Sequence, residues 1–449
     1  MYQKSIHQYI QAHRDEIVRE LKELVEIPSV RGENLPGAPF GEACAEALKH
    51  VRDLYAKQGL RTELCEEGGY LLSYLGEGEK SIGLFAHADV VPAGDGWIYT
   101  TPFEPLEKDG FLIGRGVGDN KAGVIISLYV TKLFQELKLP LNSRLVLYTG
   151  SNEESGMKDM ESYLSAHTPP DFSLVPDTGF PLYRGDKGIL RFYAKSNCEL
   201  QTVTDFGGGE AFNVVLGRAM AKLCDSEGII LSATGISRHA AIPEGSLNAG
   251  YLLADALSAR EDQPEQEREQ FRLVADMLCP IYGEFFGIEN EDSEFGKLTC
   301  VNGIIKVEDK RLVLSFDVRY GTSVEPSALV DKIMSVLNSK GWEYIPQYSS
   351  PAFVVPADHK YVTGLLQVYS QFTGVVNPVS YINAGATYAK HLPLALETGT
   401  QIGHTMPFPM PDGHGGAHQP DECISIDGLL EAIELTALMI LRCDDEVNL

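Results

Sequence analysis

Three short apolar runs, SIGLFAHAD, SRLVLYTGSNEE and DFSLVPDT, each end on histidine, aspartate or glutamate, and helical segments separate them. The runs have the length of buried strands. NKAGVIISLYVTKLFQELKL and SGMKDMESYLSAH, which lie between them, read as helices. Strands alternating with helices predict an α/β fold, a mostly parallel-stranded sheet covered by helices on both faces. In such sheets ligands gather at the carboxyl ends of the strands. The polar residues of this chain fall at those ends.

At 449 residues the chain exceeds one ordinary core, so two domains, or one with a large insertion, are expected. The N-terminal stretch MYQKSIHQYIQAHRDEIVRELKELVEI reads as one first helix, and Phe40 to Leu60 as another, with Cys44, Ala47, Leu48, Val51, Leu54 and Tyr55 at helical spacing. After about Tyr183 the texture changes. FGGGEAFNVV, IILSATGISRHA and KRLVLSFDVRY alternate with helical runs, and EDQPEQERE forms an acidic stretch. This predicts an inserted α+β domain over 185–355, within a first domain made of 1–184 and 356–449. DHKYVTGLLQVYSQF resumes the helix–strand alternation, and DECISIDGLLEAIELTALMILRC closes the chain as a helix on the sheet.

Sixty-three acidic against thirty-seven basic residues give a formal charge of −26. That charge repels nucleic acid and anionic membrane surfaces, so neither is an expected partner. No run has the apolar length of a transmembrane helix, and the N-terminus lacks the pattern of a signal peptide. A cytoplasmic location is expected. The eight cysteines are scattered without a CxxC pair, so they read as reduced thiols, and any metal must be held by histidine and carboxylate.

His87 and Asp89 lie two apart on a strand, which points both side chains to one face and suits a metal ligand with the carboxylate that orients it. A strand-end histidine satisfied by its neighbours reads the same way. Asp119, in GRGVGDNKAG before a helix, fits a ligand or a helix N-cap; Gly114, Gly116 and Gly118 match neither GxGxxG nor a Walker motif. Glu153 and Glu154, adjacent at the end of a buried strand, repel each other unless a cation is near, or else form a solvated acidic helix start. Asp177 fits a turn as well as a site. Four successive segments, three strand ends and the turn of Asp119, offering such groups to one rim exceed what turn chemistry explains. Carboxylate and imidazole suit zinc, manganese or cobalt, and a shared carboxylate can bridge two ions.

Taken in order, HADVVPAGDGW, GRGVGDNKAG, NEESG, PDTGF and GAHQPDE resemble the dinuclear metallopeptidase family that contains carboxypeptidase G, aminoacylase, succinyl-diaminopimelate desuccinylase and PepV-type dipeptidases. The resemblance spans nearly the whole chain. It implies that His87 and Asp177 bind one metal, Glu154 and His418 the other, and that Asp119 bridges the two. It also implies that Glu153 is the general base acting on a metal-bridging water, that Asp89 supports the site, and that the Asp119–Asn120 peptide is cis. His418 is chosen over His404 and His414 because GAHQPDE matches the family pattern leading into the last helix.

In the inserted domain SRHAAIPEGSLNA resembles the segment of the family's lid that carries a catalytic histidine, which nominates His239 to stabilise the oxyanion. Asn213 and Arg319 are nominated for substrate contact, Arg319 through the two-pronged fit of guanidinium to carboxylate; a strand ion pair is its ordinary alternative. The insertion resembles the enlarged PepV lid, which implies a monomer acting on small dipeptides, and GATYAK around Thr387 points the same way. Zinc is the expected metal of the two-ion site, with manganese or cobalt as alternatives. The rival within the family is a deacetylase or desuccinylase of N-acyl amino acids. From a different class, the rival is a catalytically inactive binding protein on the same scaffold.

Overall fold

The computed structural model describes residues 2–224 and 228–448. The chain divides into two compact units, Met1–Gly185 with Val355–Leu449, and Asp186–Val354.

The sheet of the first unit runs Arg61–Cys65, Tyr70–Leu75, Arg144–Gly150, Ser81–His87, Phe172–Thr178, Ala395–Gly399, Tyr183–Asp186. The four central strands are parallel, and those at either flank are antiparallel. Every residue of Ser81–His87 is buried. A strand covered on both faces has no solvent side, and so its sequence does not alternate. On one face lies the helix Lys121–Glu136, buried from Lys121 to Phe134 and packed on Arg14–Val25, on Ile426–Val447 and on the sheet. A helix apolar around its whole circumference must be enclosed in this way. An aromatic cluster of Phe85, Tyr148 and Tyr163 forms another part of the core.

The structure corrects several local expectations. The N-terminal stretch is two helices, Gln3–Ala12 and Arg14–Val25. The break falls at His13, whose ring stacks on Tyr9 and whose Nδ1 lies 2.8 Å from the Tyr9 carbonyl. A side chain that takes a ladder carbonyl interrupts the helix there. Asp119 is not an N-cap, because that position belongs to Asn120, whose side chain makes no capping bond. Asp89 lies beyond the end of the strand Ser81–His87 rather than on it.

The second unit is antiparallel. Its main sheet runs Thr299–Val301, Arg311–Tyr320, Gly188–Ser196, Trp342–Ser350, with Ile305–Glu308 also pairing to Arg311–Tyr320. Gly188–Ser196 alternates buried and half-buried residues through most of its length, the signature of a sheet with one covered face. Ala249–Ser258, Glu265–Leu278 and Pro326–Ser339 supply helices, and Phe192, Phe286, Phe316 and Trp342 lie in its core. A three-stranded sheet of Val203–Gly207, Arg218–Leu223 and Ile230–Thr234 completes it. Within FGGGEAFNVV the strand ends at Gly207, and Phe212 to Val215 carry no regular strand.

Candidate metal centre

His87 is the last residue of its strand and is fully buried. Its Nδ1 lies 3.0 Å from the Asp89 carbonyl and 3.4 Å from Asp89 Oδ1. The main-chain oxygen, more than the expected carboxylate, therefore takes the Nδ1 proton. That turns Nε2 inward, 3.2 Å from Asp119 Oδ1 and 3.5 Å from Asp177 Oδ1. Asp177 owes its direction to a break in register. Pro176 pairs with Thr398 and Thr178 with Gly399, so Asp177 is the extra residue of a bulge, a device that re-aims a side chain.

Asp119 sits on the glycine-rich loop before Lys121–Glu136, and its peptide bond to Asn120 is cis. Asn120 is fully buried and braces two strands: its Oδ1 accepts the His87 N–H at 3.3 Å and its Nδ2 donates to the Pro176 carbonyl. Across the site, His418 Nε2 lies 3.0 Å from Asp119 Oδ2 and 3.0 Å from Glu154 Oε2. His418 has a φ of 63°, a left-handed conformation uncommon for a residue with a Cβ. The competing histidines are engaged elsewhere: His404 meets Glu431 at 2.9 Å and His414 meets Asp421 at 2.7 Å.

Glu153 and Glu154 open a single 3-10 turn, Glu153–Ser155. Asp89 holds this turn, with Oδ1 accepting the Glu153 N–H at 3.1 Å and Oδ2 the Glu154 N–H at 3.2 Å. Behind it, Asp159 Oδ2 accepts the N–H groups of Ser151 and Asn152 at 2.8 and 3.0 Å and the hydroxyl of Tyr388. Asn120, Asp159 and Tyr388 were not singled out from the sequence. An asparagine after an aspartate, or an aspartate in a helix, carries no local mark of such a role.

Without a cation the electrostatics are costly. Burial, with Asp177, Glu154 and Asp119 nearby, pushes the Glu153 carboxyl well above its ordinary value despite the opposing charge of His87. Burial and Asp119 push Glu154 up to about 7, and burial pushes Asp177 up to about 6. Burial works against charge on His87, but Asp177 and Asp119 raise it well above its ordinary value. Hydrogen bonds to Asp119 and Glu154 lift His418 to about 11. Burial alone would raise Asp119, yet the two histidines hold it below the usual carboxylate range.

Two clusters are compact enough for a metal ion, His87–Asp119–Asp177 and Asp119–Glu154–His418, with the ligand atoms of each within 4.8 Å of one another. Buried His87 Nε2 and Glu154 Oε1 have no hydrogen-bond partner among the described residues. Orphaned nitrogen and oxygen atoms aimed into a carboxylate–imidazole cage fit divalent cations.

In the second unit, Asn213 Nδ2 lies 3.3 Å from His239 Nε2, and the Ala241 N–H donates to His239 Nδ1 at 3.2 Å. The two nominated residues are thus neighbours. Arg319 is buried, with Nε 2.5 Å from Asp317 Oδ1 and Nη2 3.1 Å from Asp317 Oδ2. Its strand ion pair is an interior one.

Histidines and carboxylates gathered at the carboxyl edge of an α/β sheet define a site of the metallohydrolase class. The chain belongs to peptidase family M20/M25/M40, whose model matches residues 83–442, and it is a metallopeptidase. It is 29% identical to "Putative dipeptidase YtjP" of Bacillus subtilis (strain 168), over 95% of this chain and 97% of that protein. The fold is similar to human carnosine dipeptidase 1, with a TM-score of 0.62, 18% identity and coverage of 99% of this chain and 100% of that one. It is also similar to the dipeptidase Dug1p from Saccharomyces cerevisiae, with a TM-score of 0.63, 14% identity and coverage of 99% and 98%. Among the described residues no helix is long and apolar enough to cross a membrane.

Proposed function

We propose that this metallopeptidase is a dipeptidase using two divalent cations, zinc by preference. His87 and Asp177 would hold one ion, Glu154 and His418 the other, and Asp119 both. The observation that carries this reading is the division of the Asp119 carboxylate, with Oδ1 3.2 Å from His87 and Oδ2 3.0 Å from His418. One oxygen for each cluster is what a bridging ligand requires. The nitrogen–oxygen donor set suits zinc and accommodates manganese or cobalt. When bound, the ions supply Lewis-acid activation of water and of the scissile carbonyl.

Glu153 takes the proton of the attacking water and passes it to the leaving amine. Burial among carboxylates raises its pKa, the direction that makes the carboxylate a stronger base toward water. Asp89 keeps it in place through the backbone of its turn. In the second unit His239 is assigned to the oxyanion, and Asn213 and Arg319 to the substrate carboxylate. The resemblance of their segments to the family supports these roles, and the contact between Asn213 and His239 supports those of that pair alone. The resemblance of the inserted unit to the enlarged PepV lid supports a monomer. A reducing, cytoplasmic setting accords with eight cysteines, all among the described residues, none of which is in a disulfide.

The test joins metal analysis to a substrate panel. The protein loaded with zinc or manganese is assayed on dipeptides and on N-acetyl and N-succinyl amino acids. Two ions per chain with dipeptide hydrolysis is the expected result. Turnover confined to the N-acyl compounds would replace the dipeptidase reading with a deacylase, and a loaded protein inert to the whole panel would overturn both.

A further inference from the structure

Glu422 lies four residues beyond His418, is 1% exposed, and spends its whole carboxylate on the loop that carries Asp119. Oε2 accepts Arg115 Nη1 at 2.7 Å and the Gly116 N–H at 3.1 Å. Oε1 accepts the Gly118 N–H at 3.0 Å and the Asp119 N–H at 3.1 Å. A carboxylate kept only to neutralise Arg115 would need the first of these. The other three go to backbone N–H groups of one turn, those of Gly116, Gly118 and Asp119, and the last belongs to the shared aspartate itself.

The chain around Glu422 is anchored to the same loop. The Glu422 carbonyl accepts the Gly114 N–H at 2.9 Å, and Cys423–Ser425 pairs with Phe111–Ile113. Residues 418 to 422 therefore hold Asp119 from both ends: Glu422 grips its backbone N–H, and His418 Nε2 faces its carboxylate at 3.0 Å. Glu422 closes the GAHQPDE motif that carries His418, but its partners lie some three hundred residues earlier, so the motif does not show what the carboxylate holds.

We infer that Glu422 is a positioning residue of the metal centre, which fixes the direction of the Asp119 carboxylate so that one oxygen serves each cluster. The inference rests on the proposed reading of Asp119 as the shared ligand. An amide at 422 keeps one acceptor oxygen and turns the other into a donor facing N–H groups, so part of the grip is lost whichever way it sits. Aspartate keeps both acceptor oxygens but falls one methylene short.

Glu422→Gln and Glu422→Asp are compared with the unaltered protein by chelator competition for zinc, by the visible absorption bands of the cobalt-loaded protein, and by thermal melting. Loss of a partner that orients a ligand typically weakens metal affinity 10- to 100-fold. Glu422→Gln is expected to show about that loss with shifted cobalt bands, and Glu422→Asp a smaller change in the same direction. A folded Glu422→Gln protein with unchanged affinity and cobalt bands overturns the inference. If that variant does not fold, unchanged affinity and bands in Glu422→Asp overturn it instead. Failure of the unaltered protein to take up a second ion strikes at the reading of Asp119, and the inference falls with it.

Discussion

Asp89 Oδ1 accepts the backbone N–H of Glu153 at 3.1 Å. The main-chain carbonyl of Asp89 meets His87 Nδ1 at 3.0 Å, so one residue orients both an imidazole and the turn that carries the glutamate proposed as general base. Replacing Asp89 with asparagine keeps the carbonyl contact but leaves a single acceptor oxygen for the two N–H groups of Glu153 and Glu154. We expect Asp89→Asn to retain metal and to lower kcat/KM by about 10- to 100-fold, the usual cost of losing a group that orients a site. Steady-state kinetics on the best dipeptide, with metal content measured on the same sample, check this.

The role proposed for Glu153 is what separates an enzyme from a metal-binding shell. General acid–base action contributes about 10²- to 10⁴-fold, so Glu153→Gln should hold two ions and lose at least that much turnover. Near-normal kcat in a fully loaded variant would remove Glu153 from its role.

Two of the C-terminal histidines, His418 and His404, should differ sharply on substitution. His418 is the one that reaches Asp119 and Glu154, although it is 54% exposed. His418→Ala is expected to lose one of the two ions and nearly all activity. His404→Ala disrupts an exposed pair with Glu431, an interaction of small energetic weight, and should keep both ions and activity within about twofold. Metal-to-protein ratios and initial rates distinguish the two outcomes.

Metal binding should release protons, and more of them in mild acid. A cation requires ionised carboxylates and neutral imidazoles. Before binding, Glu154 at about 7 and Asp177 at about 6 are largely or partly protonated at pH 6 and ionised at pH 8. His418, at about 11, carries its proton at both. Protons compete with the metal at more groups as the pH falls, so zinc should bind more tightly at pH 8 than at pH 6, with fewer protons displaced. Calorimetry in buffers of different ionisation enthalpy measures both quantities. Proton release that is equal at the two pH values would contradict this charge distribution.

What could be read from the amino acids was what depends on neighbours in the chain. An apolar run of strand length followed by a helical period predicts both the central strands and the edge where they end, which placed His87, Glu153, Glu154 and Asp177 on one rim. The resemblance added the order of the motifs and selected His418. The break at His13 escaped because apolar spacing is the same in one helix as in two, and the difference lies in a ring stacked on Tyr9.

Tertiary structure alone decided how these groups meet. The bulge that frees Asp177 arises from pairing with Thr398 and Gly399, the brace of Asn120 joins His87 to Pro176, and the grip of Glu422 on Asp119 joins the residue before the last strand, Cys423–Ser425, to the loop before Lys121–Glu136. Each is a hydrogen bond or a register between residues distant in sequence, available only once the sheet has brought its strand ends together. The amino-acid sequence by itself determined which donor atoms the chain carries and on which edge they fall. Packing decided that one aspartate, Asp119, would face two histidines, because that requires segments from opposite ends of the chain to converge on a single carboxylate.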